Sequence, residues 1–137
     1  MKQHDSFEPS AVPPQLAAEV KAAASHGTLS CASAFKIAES HAVPPALVGA
    51  ALDANNIRIT YCQLGLFGYG EKKKIVEPAD SIADDLRRAI ESHLADGRLT
   101  CAAAWDIAES LGLSKIQVAA ACEAMKIKIR MCQLGAF

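Results

Sequence analysis

Four of the five cysteines form two matched pairs, Cys31 with Cys62 and Cys101 with Cys132, each pair 31 residues apart. Thiols that recur in this way suggest soft-metal binding or redox sensing. Arg58 lies just before Cys62, and Lys128 and Arg130 just before Cys132; neighbouring cations lower a thiol pKa and favour the thiolate. The spacing argues the other way. No Cys-x-x-Cys pair occurs, and His4, His26, His41 and His93 share no zinc-type spacing with a cysteine. Cysteine is also a common small core residue, so packing is the leading expectation, with no metal and no cofactor. No glycine-rich phosphate loop, nucleophile elbow or paired-acid arrangement is present. The chain does not read as an enzyme.

The cysteine pairs belong to a longer repeat. Residues 16–67 align with 86–137 at a constant offset of 70, and 21 of the 52 positions are identical. The matched cores begin at Gly27 and Gly97, and each copy closes on Cys-Gln-Leu-Gly, at Cys62 and Cys132. A repeat of this length is one folded unit used twice. Each unit has about 55–60 residues, near the lower limit for folding alone, so the two are expected to share a core or an interface.

Hydrophobic residues make up 51% of the 137, yet aromatics only 5%. Alanine carries much of the apolar count, which favours close-packed helices. The net charge of −1 lacks the basic surplus usual in a dedicated nucleic-acid binder. No apolar run reaches the roughly 18 residues of a membrane span. Met1 to Pro14 is polar and does not read as a signal peptide. Five cysteines without such a signal point to the cytoplasm.

The expected organisation is a disordered tail at 1–13, a first repeat at 14–67, a linker or wing at 68–80, and a second repeat at 81–137. Each repeat opens with a helix, at about 14–25 or from Ser81, which can cap the second copy; Ile82, Leu86 and Ile90 form its apolar stripe. An extended Leu29-Ser30 or Leu99-Thr100 leads into a second helix at 31–40 or 101–110. A third helix follows at about 44–54 or 114–125. Ile57–Cys62 and Ile127–Cys132 alternate like half-buried strands, with Ile57, Ile59 and Tyr61 opposite Arg58, Thr60 and Cys62. Pairing of that strand with the extended piece before Cys31 would bring the thiols together. Ile75-Val76 is a candidate returning strand. Phe67 and Phe137 are candidate anchors, and Gln63 and Gln133 candidate capping amides.

Ala108, Gly112 and Val118, flanked by Ile107, Leu111 and Leu113, match a known signature. A small residue lets two helices cross closely, a glycine takes the left-handed turn, and a β-branched residue locks the next helix. The pattern resembles the helix-turn-helix family in its winged-helix form. The first copy offers Ala38, Ala42 and Val48, so glycine is replaced there. The resemblance implies a mainly α fold of two tandem helix-turn-helix, winged-helix-like units with short β-elements, related by a pseudo-twofold axis. It also implies that the third helix reads double-stranded DNA in the major groove.

The residues on the third helices suit another task. The first copy presents Pro44, Pro45, Ala46, Leu47, Gly49, Ala50 and Asp53, none of them basic. Leu47, Gly49, Ala50, Ile116, Ala119 and Ala120 form a small, apolar face that lets a partner helix approach. The leading expectation is a non-enzymatic regulatory or interaction module whose third-helix surfaces contact protein, either this chain or another, in the cytoplasm and away from membranes. The alternative is a transcription regulator that binds DNA as a built-in pseudo-dimer, through Lys72, Lys73, Lys74, Lys115, Gln117, Lys128 and Arg130. A cysteine-based metal or redox sensor is the second alternative.

Overall fold

The computed structural model describes residues 9–70 and 74–136. After a short 3-10 turn at Pro9–Ala11, the chain forms helix α1 (Pro14–Ala23), strand β1 (Thr28–Ser30), helices α2 (Cys31–His41) and α3 (Pro45–Ala54), and strand β2 (Arg58–Thr60). The same order follows in α4 (Asp84–Ser92), β3 (Arg98–Thr100), α5 (Cys101–Leu111), α6 (Lys115–Ala124) and β4 (Lys128–Arg130). The fold is mainly α-helical. Buried, half-buried and exposed positions follow in one order over 29–45 and again over 99–115.

Local chemistry sets these elements. The Ser30 side chain accepts the Ser33 N–H at 3.1 Å, and Thr100 accepts that of Ala103 at 3.1 Å, so each caps the helix that leaves its strand. On α2, Cys31, Ala34, Ile37 and Ala38 are buried, and on α5 Cys101, Ala104, Ile107 and Ala108; both sets follow the i, i+3, i+4 rhythm of one helix face. Ala42 and Gly112 end these helices in the left-handed conformation, at φ 53° and 67°. Val48 and Val118 are fully buried. Ser81 does not cap α4, which starts after Ala83 without a side-chain cap.

β1 pairs with β2 in parallel, Leu29 opposite Ile59, and β3 pairs with β4, Leu99 opposite Ile129. Parallel neighbours require a crossover, and α2–α3 and α5–α6 supply it. The strands are shorter than the alternation suggested. Tyr61 and Met131 take left-handed φ values of 51° and 56°, which turn the chain off the strand. Tyr61 is therefore exposed while Cys62 is buried, and the expected two-face division fails there. Ile75-Val76 forms no strand. Both N–H groups donate to the Gly65 carbonyl, at 2.9 and 3.1 Å, and Val76 is buried. Of the expected tail at 1–13, residues 9–13 are described, and Val12 packs on the first core.

The two cores do not respect the repeat boundary. The first gathers Leu16, Val20, Leu29, Val48 and Leu52 with Cys132 and Leu134 of the second copy. The second gathers Leu86, Ile90, Leu99, Val118 and Cys122 with Cys62, Leu64 and Val76 of the first.

Ala42 sits where an L-residue is strained by about 1–2 kcal/mol. Glycine removes that strain but gives back roughly 0.5–1 kcal/mol of chain entropy. Ala42→Gly is expected to stabilise the protein by about 0.5–1 kcal/mol in urea denaturation, and a loss of stability would contradict the turn geometry.

Candidate functional site at the junction of the third helices

The small-residue faces of α3 and α6 meet the closing segment of the opposite copy. A Cβ added at Gly49 would overlap the carbonyl oxygen of Leu134 and lie 2.8 Å from its carbonyl carbon. The group that approaches Gly49 is thus the backbone of the turn that follows β4, not the partner helix expected from the small residues. On α6, Ala119 is fully buried in the cluster that holds Leu64. The Ala120 carbonyl accepts the Ala79 N–H at 3.0 Å, so the segment between the copies also lies against α6. Leu47, Gly49 and Ala119, expected at the outer surface, are buried; Ala50 and Ala120 are half-buried, and Ile116 is exposed. The physical reason is this cover by Leu64, Leu134 and the 75–79 segment.

Between α2 and α5, the rings of Phe35 and Trp105 stand 4.2 Å apart, centre to centre. Trp105 packs against both cores. Lys115 Nζ lies 4.4 Å from the Trp105 ring centre, a cation–π distance. The Trp105 Nε1–H is buried without an acceptor.

All five cysteines are buried, free thiols. The expectation that nearby cations lower a thiol pKa is overturned at Cys62, because desolvation dominates. Burial pushes the Cys31 and Cys62 thiols up, and Cys101 up to about 12. Backbone N–H groups oppose the shift: that of Gln63 at Cys31, those of Leu66, Leu64 and Phe67 at Cys62, and that of Gln133 at Cys101. The other repeated thiols add mutual repulsion, with Cys62 and Cys132 acting on both Cys31 and Cys101. Cys122, which has no counterpart, is pushed up to about 11 by burial and by Glu123. Among the described residues, no group of three or more His, Cys, Asp or Glu side chains is placed to hold a metal ion.

The repeated glutamines bind sulfur. Gln63 Nε2 donates to Cys31 Sγ at 3.9 Å and Gln133 Nε2 to Cys101 Sγ at 3.5 Å. Both also line one cavity of about 600 Å³ with Trp105. Expected as capping amides, the glutamines instead donate to thiols 32 positions away, a partner not readable in the sequence because it depends on the strand pairing.

Of the cationic candidates, Lys74, Lys128 and Arg130 line one cavity, whereas Lys115 lies at another. Lys72 and Lys73 lie outside the described residues. Lys74 pairs with Glu123 at 3.1 Å. Gln117 accepts the Ser114 N–H at 2.8 Å in a capping box, a role its Ser-x-x-Gln spacing announces. Lys115 is held over Trp105. Lys128 is exposed, while Arg130 is half-buried with its Nε–H buried and unpartnered. Among the described residues, no helix is long and apolar enough to cross a membrane.

No protein-family model, curated protein or solved structure matches this chain.

The thiol environment makes stability pH-dependent. Cys101 keeps its proton up to about pH 12 in the folded protein, against an ordinary thiol value of 9.0. Its contribution is therefore complete below pH 9.0 and falls as pH rises toward 12, because the unfolded chain ionises first. Urea midpoints are expected to fall between about pH 8 and 10.5, and less steeply in Cys101→Ala. An identical slope in both proteins would contradict the assignment.

Proposed function

We propose that the protein is a non-enzymatic regulatory or interaction module of two helix-turn-helix-like units, related by an approximate twofold axis, whose third-helix faces are engaged by protein. The observation that carries this reading is the contact of Leu134 with Gly49, which places the chain's own backbone where a partner would lie. The helix-turn-helix likeness is supported by the left-handed turn at Ala42 and Gly112 between close-packed helices. The reading places the module in the cytoplasm, with a protein as its partner.

The DNA-binding alternative needs third helices open to a major groove. Burial of Leu47 and Gly49 leaves little of α3 for that purpose, and Ala119 is buried on α6. Gln117 and Lys115 are already engaged, by the Ser114 cap and by Trp105.

Ala120→Glu separates the two readings. A carboxylate on this half-buried position would lose water without gaining a partner, so the variant is expected to lose about 1–3 kcal/mol of stability. The wild-type protein is expected to show no tight, salt-sensitive binding to mixed-sequence duplex DNA in fluorescence anisotropy. Tight binding that weakens steeply with salt, and disappears in Ala120→Glu with the fold intact, would overturn the proposal.

A further inference from the structure

At Gly49 the opposite segment closes onto α3. The matching position on α6 is Ala119, buried in the core that holds Leu64, and α6 also borders a cavity of about 750 Å³. Leu66, Phe67 and Ile129 give this cavity apolar walls, and Lys126, Lys128 and Arg130 give it cations. Lys74 and Glu123 also line it, and their ion pair at 3.1 Å joins the inter-repeat segment to α6. The lining therefore holds four cations against one carboxylate. Arg130 also lines the cavity, and its Nε–H is buried without an acceptor. The first copy carries Asn56, Arg58 and Thr60 where the second has Lys126, Lys128 and Arg130. The second copy thus carries three cations where the first has one, Arg58.

We propose that this cavity binds a small amphiphilic anion, an acyl- or alkyl-like apolar body carrying one carboxylate or phosphate. The volume falls in the range of small-molecule sites, which combine apolar walls with a few fixed polar groups. The head group sits among Lys126, Lys128 and the Arg130 guanidinium, which supply charge-assisted hydrogen bonds. The apolar body lies along Leu66, Phe67 and Ile129. This inference does not rest on the third-helix reading, and its test reads ligand occupancy rather than association.

Isothermal titration of the full chain with octyl phosphate, octanoate, inorganic phosphate and octyltrimethylammonium tests it. One equivalent of octyl phosphate or octanoate is expected to bind saturably, about tenfold or more tighter than inorganic phosphate or the ammonium probe. Whichever head group binds tighter identifies the anion class. Lys128→Glu, at an exposed position that leaves the fold intact, is expected to weaken binding about tenfold or more. Lys21→Glu, exposed on α1, is expected to leave it unchanged. The proposal is overturned by any of three results: no saturable binding at millimolar ligand, equal binding of inorganic phosphate or the ammonium probe, or equal weakening by the two charge reversals.

Discussion

Leu134 is buried in the core built by α1, α2 and α3, and Leu64 in the core built by α4, α5 and α6. This exchange is the constraint on which the rest depends. A unit of some 55–60 residues buries too small a fraction of its surface to be securely stable alone. Each copy lends a leucine and a cysteine to its neighbour, so neither core is complete without the other chain segment. The short parallel strands serve the same end: β2 and β4 aim the closing segments away from their own helices. The left-handed turns at Tyr61 and Met131 then bring Cys62 and Cys132 inward.

The thiols follow from that geometry. Segments that cross must pass near the start of α2 and α5, where Cys31 and Cys101 stand. Cys62 and Cys132 thereby come close enough to Cys31 and Cys101 to disfavour ionisation of those two thiols. At Cys31, Cys62 and Cys101, burial outweighs the hydrogen bonds that would favour a thiolate. Gln63 and Gln133 fix Cys31 and Cys101. The difference between the copies is as informative as their likeness. Glycine at 49 admits a backbone, whereas alanine stands at 119, and Lys126, Lys128 and Arg130 line the cavity beside α6.

Much of the architecture was legible in the sequence. The offset of 70, the caps at Ser30 and Thr100, and the pattern Ala108, Gly112, Val118 announce local structure, because caps and left-handed turns are made by neighbouring residues. The exchange was not legible. An apolar Leu64 just before Gly65 reads the same whether it returns to its own core or enters the next. Tyr61 misled the strand pattern because an aromatic residue seldom takes a positive φ. The small face of α3 was visible, but its occupant was not: smallness states how close a neighbour may come, not whether it is a helix or a strand end. The electrostatics of the thiols likewise depend on burial, which distant segments decide.

The central claim is that the second copy's closing backbone lies directly on α3 at Gly49. Substituting alanine for a glycine in a helix interior ordinarily stabilises it by about 0.8–1.0 kcal/mol. Here the added methyl group would collide with the Leu134 carbonyl. The measurement is the change in unfolding free energy of Gly49→Ala in urea. The account predicts a loss of about 1–3 kcal/mol through overpacking; a gain, as at an ordinary helical glycine, would contradict it.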